Sequence, residues 1–338
     1  MSRNPTSNIH EGAEYYAGDI TSKTCVSKLL EIIKPQVIFH AAAPLAHDTS
    51  ITAKGYHQII VEGTESVISC AKSAPSVKAL VFTSSALVAR GHKHLDIDES
   101  APLWEQNTTD IPPYMKAKTL ADIIVREANT KLDSQGNGLL TVALRPHGIY
   151  GTSDTILIPK IMEVVPQKWT KYQIGDNKTF HSPSFAGSIA VAHILAARKL
   201  LESDSIPAEL RVDGEAFFIN EGPILFWDFC HVMWRVMGVD VQKKDVVVVP
   251  VWLILGIVYV VELLFGIFTL RQKRPPAEMT TFGIKTVVSN YTYNTEKARK
   301  RLGFVPVCDL EENLRKCIEW EFENHPEKWK GCKLAGKK

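Results

Sequence analysis

The chain has 338 residues, 45% of them hydrophobic and 22% charged, which is ordinary composition for a globular protein with a sizeable core. The net charge of only +2 argues against a broad basic face and so against a nucleic-acid partner. The six cysteines include no CxxC pair, so reduced thiols are expected rather than a disulfide framework or zinc site, and no other metal-ligand cluster is indicated. The polar start predicts no signal peptide, and a cytosol-facing chain is expected.

Short β-branched runs alternate with helical patterns over the first two-thirds of the chain, as is typical of a parallel sheet wrapped by helices. Continuous apolar runs predict strands that are buried on both faces. The predicted strands are 36–42, 79–83 and 141–145, and the predicted helices are 22–33, 51–71 and 114–132. The last helix follows Pro112 and Pro113, because proline suits a first helical turn.

The alternation loosens beyond Gly151, which marks the end of the first region. Helical patterns and two short extended runs follow it. The predicted helices are 184–201, 225–237, 295–302 and 310–324, and the predicted strands are 217–220 and 291–293.

Residues 246–270 form a long apolar stretch in which Glu262 is the only ionised side chain. Basic residues bracket it, with Lys243 and Lys244 before it and RQKR at 271–274 after it. A helix of about 20 residues can span the roughly 30 Å hydrocarbon core of a bilayer, so the stretch predicts a membrane-associated helix. The alternative is a helix packed wholly inside the domain, although few soluble helices are apolar on all sides.

Tyr114 and Lys118 are the first candidates for chemistry, because residues four apart share one face of a helix. An ammonium beside a phenol favours phenolate and lowers the phenol's pKa from its usual value of about 10. Such a phenol can take a proton from an alcohol while the alcohol carbon gives up hydride. The spacing alone is a weak signal, since 9 tyrosines and 39 basic residues in 338 positions predict roughly one YxxxK by chance.

A second pair, Tyr293 and Lys297, has the same spacing, so the neighbouring sequence must decide between the two. Upstream of Tyr114, a predicted strand ends in Ser84 and Ser85, which places hydroxyls at the strand end where open α/β sheets bind ligands. A serine there can donate a hydrogen bond to an oxygen whose charge changes during hydride transfer. The second pair has no such neighbour and is predicted to be structural.

Ser85, Tyr114 and Lys118 resemble the catalytic triad of extended short-chain dehydrogenases. Three more segments match motifs of that family: YAGDI at 16–20, FHAAA at 39–43 and RPHGIYG at 145–151. The later segments are similar to the 3β-hydroxysteroid dehydrogenase group and, within it, to the sterol-4α-carboxylate 3-dehydrogenases (decarboxylating). These segments are GDNK at 175–178, AFFIN at 216–220, FWDF at 226–229, the apolar stretch and YNTEKARKRLG at 293–303.

The resemblance implies a Rossmann-like, doubly wound parallel sheet that binds the cofactor in residues 1–150. It implies a smaller α/β substrate domain in residues 151–338, including the apolar membrane-associated segment 246–270. Tyr114 would take the hydroxyl proton, Ser85 would polarise that oxygen, and Lys118 would tune Tyr114 and hold the nicotinamide ribose. No metal is implied. The residues implied to contact the cofactor are Arg3, Asp19, Ile20, Ala41, Ala42, Tyr114, Lys118, Pro146 and Ile149.

The sequence departs from the family pattern in four places. Family members open with a strand and a GxxGxxG turn that holds the pyrophosphate, whereas Arg3 and its neighbours correspond to the end of the second strand. Ile60 replaces the usual asparagine of a VNxxGT helix and is expected to loosen the active-site water network. Thr152 replaces a proline, and His147 stands where a small residue is common.

The missing start has a predicted cost, because the first strand lies at the centre of a sheet of order 3-2-1-4-5-6. Without it, strand 36–42 would have an apolar edge with unpaired amides and carbonyls. Each unsatisfied buried polar group costs about 1–3 kcal/mol, against a total stability of about 5–15 kcal/mol. The chain is therefore expected to aggregate and to bind cofactor weakly, and an upstream strand, glycine loop and helix are expected to rescue both.

The cofactor is expected to be NAD or NADP, and the sequence leaves this choice open. Arg3 beside Ser2 would suit the 2′-phosphate of NADP. An arginine so near a chain terminus is equally expected to be frayed and solvated.

Two functional interpretations remain at this point. The first is an NAD(P)-dependent enzyme that oxidises a sterol or triterpenoid 3β-hydroxyl, with loss of a C4 carboxyl, in primary sterol or specialised triterpenoid synthesis. The second is a dehydrogenase relic that binds sterol at a membrane without turnover. The missing glycine loop favours the relic, whereas the intact Ser85, Tyr114 and Lys118 favour the enzyme.

The expected partners are the sterol or triterpenoid substrate, a membrane surface and other enzymes of sterol C4 demethylation. The expected location is the endoplasmic reticulum membrane, with the catalytic domain facing the cytosol. Segment 293–303 resembles part of the soluble substrate domain, so both flanks of the apolar stretch are predicted to lie on one side of the membrane. The stretch is therefore predicted to be a monotopic or re-entrant anchor.

Overall fold

The computed structural model describes residues 1–6, 9–46, 48, 50–105, 107–109, 111–270, 275–276, 279–307 and 309–335. Strands are short throughout the chain. In chain order they are β1 (Val37–His40), β2 (Ala79–Thr83), β3 (His94–Ile97), β4 (Leu140–Pro146), β5 (Ile149–Tyr150), β6 (Tyr172–Ile174), β7 (Phe180–His181), β8 (Ser184–Phe185), β9 (Ala216–Ile219), β10 (Ile224–Leu225), β11 (Val247–Val249) and β12 (Tyr291–Tyr293).

In chain order the helices are α1 (Lys23–Ile33), α2 (Ala53–Tyr56), α3 (Gly63–Ser73), α4 (Pro113–Glu127), α5 (Leu157–Met162), α6 (Ala186–Leu201), α7 (Phe226–Val236), α8 (Val251–Phe268), α9 (Thr281–Val287), α10 (Glu296–Leu302) and α11 (Leu310–Asn324). Four of the helices, α1, α2, α9 and α11, begin at a residue whose side chain accepts a backbone amide of the first turn. The Ser22 hydroxyl accepts the Cys25 amide at the start of the first helix, and Asp309 accepts the Glu311 amide at the start of the last.

A parallel sheet of order β1-β2-β4-β9 forms the centre of the first region. Side chains alternate along β2: Leu80 and Phe82 pack against α1, α3 and α4, whereas Ala79 and Val81 pack against α6 and α10. Helices therefore cover both faces, which explains why the inner strands are continuous apolar runs. The prediction of an α/β, Rossmann-like fold with a parallel sheet is confirmed.

The prediction that the strand at 36–42 is buried on both faces is wrong for β1. Phe39 is 51% exposed, and Val37 and Ile38 are only half-buried. β1 hydrogen-bonds to β2, and among the described residues no strand pairs with its other edge. An edge strand has a single neighbour, so its backbone groups and side chains stay accessible on the unpaired side.

Two predicted helices also differ from the structure. Residues 51–71 form α2 and α3, but a π-helical turn at His57–Glu62 lies between them. The helix predicted for 114–132 ends earlier, at Glu127. Thr130 exchanges two backbone hydrogen bonds with Leu139, at 2.9 and 3.2 Å, so strand pairing replaces the last helical turn.

The second region packs around its own core, in which α5, α7 and α11 enclose buried side chains such as Tyr150 and Trp234. A small sheet of order β10-β7-β12-β3 joins this region to the segment that follows β2. Two further strand pairs, β11-β6 and β5-β8, complete the described sheets. The predicted boundary near residue 150 remains a prediction.

The apolar stretch forms β11 and then α8, which begins directly after Pro250. By length and composition, α8 is the one helix among the described residues that could cross a membrane. Val258 is the only buried residue among its 18 residues. The alternative of a helix packed wholly inside the domain is therefore wrong for this structure. Residues 271–274, the basic cluster after the stretch, lie outside the described residues.

Candidate active site

The carboxyl end of β2 positions the first candidate side chain, Ser85. The Ser84 amide donates to the Leu144 carbonyl of β4 at 2.7 Å, so the chain turns away only after this last ladder bond. Ser85 is 7% exposed, and its hydroxyl accepts the Leu87 amide at 3.2 Å. The same hydroxyl lies close enough to the phenol of Tyr114 to lower the pKa of that group. The structure therefore brings Ser85 and Tyr114 together.

Tyr114 lies in the first turn of α4, directly after Pro113. The ring of Tyr56 stands edge-on to it, with the ring centroids 6.0 Å apart. The Tyr56 hydroxyl donates to the Leu45 carbonyl at 2.7 Å, which fixes the loop after β1 against this ring. Sequence reasoning missed Tyr56, because nothing in the spacing connects the helix before α3 with the start of α4.

The pKa of Tyr114 moves in the direction opposite to the prediction. Burial raises the pKa of Tyr114 to about 12, and the nearby Ser85 hydroxyl offsets only part of that rise. The predicted lowering by Lys118 is wrong for this structure, because removal of the phenolate from water dominates. Tyr114 is therefore a protonated phenol at neutral pH in this structure.

Lys118 lies one turn after Tyr114, but its amine is directed to the sheet. Its Nζ donates to the Thr83 carbonyl at 2.7 Å and lies 4.7 Å from the centroid of the Phe82 ring. Burial lowers the pKa of Lys118 to about 7, while the carboxylate of Asp122 opposes this shift. The charged form of the amine is therefore much less favoured than that of a lysine in water, which the sequence did not predict.

A buried carboxylate cluster lies next to this pair and was also missed. Asp122 accepts two hydrogen bonds from Arg145, at 2.7 and 2.9 Å, one from Ser84 at 2.6 Å and one from Arg126 at 3.1 Å. Burial alone would raise the pKa of Asp122, but these partners together hold it below its usual value. The cluster joins the ends of β2 and β4 to α4, the three elements that carry the candidate site. The available signals were Asp122 four residues after Lys118 and Arg145 in the RPHGIYG motif.

Four of the predicted cofactor contacts lie at or shortly after the carboxyl ends of β1 and β4. Ala41 and Ala42 follow β1 and are exposed. Pro146 ends β4 and is buried, whereas Ile149 in β5 is 47% exposed. The carboxyl ends of parallel strands meet at one edge of a sheet, so Ala41, Ala42 and Pro146 share that edge with Ser85. Their role in cofactor binding remains a prediction.

Asp19 and Ile20 lie just before α1, and Arg3 lies near Asp19. The Asp19 carboxylate accepts the amide and hydroxyl of Thr21, each at 2.8 Å, and these bonds lower the pKa of Asp19, with a smaller contribution from the charge of Arg3. Ile20 covers Gly63 so closely that a Cβ at that glycine would lie 2.7 Å from the Ile20 Cδ1 atom. Arg3 is thus close enough to Asp19 to influence it electrostatically.

The other three departures from the family pattern have different surroundings. Ile60 is 1% exposed inside the core that α1, α3 and α4 share, so it acts there as a packing residue. His147 stacks on Tyr291 with centroids 5.4 Å apart, and burial lowers the pKa of His147 to about 3. Thr152 is exposed. The expected effect of Ile60 on a water network remains a prediction.

The second YxxxK pair does not lie on a single helix. Tyr293 is the last residue of β12, and its hydroxyl is 2.9 Å from the Nδ1 atom of His94. Lys297 lies in α10, where its amine donates to Glu215 at 2.7 Å and to the Ala216 carbonyl at 2.9 Å. These contacts agree with the prediction that the pair is structural.

The donors of the candidate site fit the ribose of a nicotinamide nucleotide. A lysine ammonium carries three donors, and within the described part of the chain Thr83 supplies an acceptor for one of them. Lys118 therefore retains donors for the hydroxyls of a sugar. The alanines after β1 have short side chains, which permits close approach of a ligand to the sheet edge. Among the described residues, no group of three or more His, Cys, Asp or Glu could hold a metal ion.

Comparison of solved structures supports the fold. A UDP-glucose 4-epimerase from Thermotoga maritima, solved with UDP-glucose, superposes with a TM-score of 0.65 at 16% identity and covers 96% of this chain and 89% of its own. A dTDP-glucose 4,6-dehydratase from Bacillus anthracis, solved in complex with NAD, gives a TM-score of 0.61 at 19% identity over 95% and 83% of the two chains. At these identities the likeness concerns the fold alone.

Comparison of sequences identifies the family, which the likeness of folds does not. The sterol-4-alpha-carboxylate 3-dehydrogenase ERG26, decarboxylating, of Saccharomyces cerevisiae is 33% identical over 326 residues, which cover 96% of this chain and 87% of that protein. Its Candida albicans counterpart is 32% identical over 313 residues, covering 92% and 83%. The profile of the 3-beta hydroxysteroid dehydrogenase/isomerase family matches residues 2–250. The chain therefore belongs to the 3-beta hydroxysteroid dehydrogenase/isomerase family.

Proposed function

We propose that this protein oxidises the 3β-hydroxyl of a sterol or triterpenoid, with NAD or NADP as hydride acceptor, and that a C4 carboxyl is then lost. The observation that carries the proposal is the placement of Ser85 beside Tyr114 at the carboxyl edge of the sheet, where the Ser85 hydroxyl influences the pKa of the phenol, with Lys118 one turn away. The substrate class is supported by the family and by the two fungal relatives named for sterol-4-alpha-carboxylate oxidation.

Each side chain has one task in the oxidation. When bound, the oxidised nicotinamide supplies the electrophilic carbon that accepts hydride from C3. Tyr114 takes the hydroxyl proton, and Ser85 donates a hydrogen bond to the same oxygen as its charge changes. Lys118 would donate to the hydroxyls of the nicotinamide ribose. Because the pKa of Tyr114 is about 12, the oxidation rate is expected to rise from neutral to alkaline pH.

Loss of the carboxyl follows from the product of this oxidation. A ketone at C3 and a carboxylate at C4 form a β-keto acid. The bond between C4 and the carboxyl carbon breaks, carbon dioxide leaves, and the electron pair moves to the ketone oxygen as an enolate. Ser85 can stabilise that oxyanion through the hydrogen bond it already makes to the C3 oxygen. The enolate then takes up one proton at C4.

The exposed α8 supports membrane association as part of the proposal. The chain enters α8 from β11, which pairs with β6, and returns to β12, which pairs with β3 and β7. Both flanks thus belong to one folded body, which favours a monotopic or re-entrant anchor over a crossing helix. We place this anchor on the cytosolic face of the endoplasmic reticulum, beside other enzymes of sterol C4 demethylation. Protease protection of a tag after Lys338, without protection of one near Tyr114, would contradict this arrangement.

Turnover of matched sterols tests the enzymatic proposal. The purified protein would be supplied with a 3β-hydroxysterol that carries a C4 carboxyl and with the same sterol lacking it, each with NAD or NADP. We expect reduced cofactor from both sterols and carbon dioxide only from the carboxylated one. Reduced cofactor without carbon dioxide would contradict the decarboxylation step alone. Sterol binding without any cofactor reduction would support the non-catalytic relic instead.

A further inference from the structure

A second exposed apolar surface adjoins α8, and no part of the catalytic proposal uses it. It is a two-stranded ribbon formed by β6, β11 and the residues that lead into them. β11 pairs in parallel with β6, with Val247 opposite Tyr172. Trp169 is 60% exposed, Tyr172 44% and Val248 52%. Large apolar side chains thus project into solvent from both strands of the ribbon.

The ribbon and α8 form one continuous surface. The Gly175 amide donates to the Val249 carbonyl at 3.0 Å, and Pro250 alone separates β11 from the first residue of α8. A Cβ placed on Gly175 would lie 3.2 Å from a methyl group of Val251, so the end of β6 touches the start of α8. Trp252, in the first turn of α8, is 74% exposed.

Basic side chains surround the ribbon. Lys168 and Lys171 are exposed next to Trp169, and the Lys171 amine lies 5.3 Å from the centroid of the Tyr172 ring. The segment before β11 adds two more exposed lysines and one exposed acid. These three residues are Lys243, Lys244 and Asp245. The surface thus combines aromatic and aliphatic side chains with an excess of positive charge.

We propose that this ribbon docks on a bilayer surface that contains anionic lipid, as a second contact beside α8. Tryptophan and tyrosine prefer the level of the headgroups, where the ring is buried and the polar atom stays hydrated. Lysines beside them are attracted by the negative potential of anionic lipids. The inference rests on the proposed membrane association and adds to it a lipid class and a set of contact residues.

Vesicle flotation of the whole protein tests whether the ribbon contacts anionic lipid. The probes are vesicles of phosphatidylcholine alone and of phosphatidylcholine with phosphatidylserine. The double variant Lys168→Gln/Lys171→Gln should weaken binding to the anionic vesicles by about fivefold for each lysine and leave binding to neutral vesicles unchanged. Trp169→Ala should weaken binding to both. The matched control is Lys28→Gln/Lys72→Gln, which removes two exposed lysines on α1 and α3.

The outcomes separate the ribbon from the larger proposal. Trp252→Asp/Phe268→Asp changes two strongly exposed residues of α8 and should reduce binding whatever the ribbon does. If that variant lost binding and the ribbon variants bound like the control, the proposed lipid contact of the ribbon would be wrong. The proposed anchor formed by α8 would still stand. Equal binding of the unsubstituted protein to both vesicles would also overturn the proposed lipid contact of the ribbon. Sterol oxidation in detergent is measured separately and should not change in the lysine variants.

Discussion

The two YxxxK pairs of this chain have the same spacing and opposite environments. Tyr114 and Lys118 lie on one helix, at the sheet edge, with the tyrosine close to the Ser85 hydroxyl. Tyr293 and Lys297 lie on a strand and on the helix after it, with partners of their own in His94 and Glu215. The same residue types therefore form a candidate catalytic group in one place and a structural junction in the other.

This difference shows that the supporting elements, and not the spacing, decide what the pair can do. Pro112 and Pro113 start a helix beside the end of β2, so Tyr114 meets a serine hydroxyl. Asn294 and its neighbours only lead from β12 into α10, so Tyr293 stays in the sheet while Lys297 turns to Glu215. Substitutions in one YxxxK pair at a time test this difference.

Tyr114→Phe should have the largest effect, because it removes the group that takes the proton. We expect turnover of the 3β-hydroxysterol to fall by about 10²–10⁴-fold. The phenyl ring still packs against Tyr56, so the melting temperature should change little. Steady-state turnover with thermal unfolding of both proteins measures the two effects.

The matched control for that experiment is Tyr293→Phe, the same substitution in the other pair. Its turnover should stay within a few-fold of the unsubstituted protein, on the order of the effect of a small change in stability. If Tyr293→Phe abolished turnover and Tyr114→Phe did not, the assignment of the catalytic pair would be wrong.

The carboxylate cluster beside the first pair should produce the next largest effect. Asp122→Ala leaves the guanidinium of Arg145, itself 2% exposed, without its buried counter-ion. Removal of one partner from a buried ion pair costs about 3–5 kcal/mol in the free energy of unfolding. Urea unfolding followed by circular dichroism measures this change.

The corresponding acid beside the second pair is Glu215, which binds Lys297 and Arg301 at a partly exposed site. Glu215→Ala should therefore cost only about 1 kcal/mol, because solvent screens and replaces the lost partners. Equal losses in the two variants would show that the Asp122 cluster has no special importance for the first pair.

Much of the fold could be predicted from local patterns, and the corrections show what they lack. β2 and α11 follow the predicted bounds, since β2 is a continuous apolar run and Asp309 caps an amphipathic helix. α4 ends early because Thr130 pairs with Leu139, a contact made through strand pairing. That pairing depends on the tertiary structure and leaves no mark in the helical pattern.

The candidate site likewise has features that the sequence predicts and features that it does not. Ser85 and Tyr114 could be predicted to meet, because a strand end and a helix start were both visible in the sequence. The direction of the Lys118 amine could not, since it depends on the Thr83 carbonyl and the Phe82 ring across the interface between helix and sheet. The pKa of Tyr114 was predicted with the wrong sign for the same reason, since burial is a property of the assembled site.

Lys118 should also give the protein a measurable pH dependence of stability. Its pKa is lowered to about 7 in the folded protein, below the usual value of about 10.4 expected in the unfolded chain. Between these two values the unfolded chain holds more protons, so the free energy of unfolding rises with pH, by at most about 1.4 kcal/mol per pH unit. Lys118→Met should remove this rise, and Lys297→Met is the matched control. Urea unfolding at neutral and at mildly alkaline pH measures it, and the same slope in Lys118→Met would show that another group is responsible.

The smallest expected effect is the change in the free energy of unfolding when the second pair is altered. Tyr293→Phe removes a hydrogen bond of 2.9 Å to His94 but keeps the ring, which packs on Phe218 with centroids 4.8 Å apart. One such hydrogen bond contributes about 1 kcal/mol, so the free energy of unfolding should fall by about that amount. A double-mutant cycle with His94→Phe isolates the coupling energy between the two side chains, because any packing change common to both variants cancels. A coupling energy near zero would mean that Tyr293 stabilises this junction by packing alone, and the two tyrosines would then differ even more sharply in what their hydroxyl groups do.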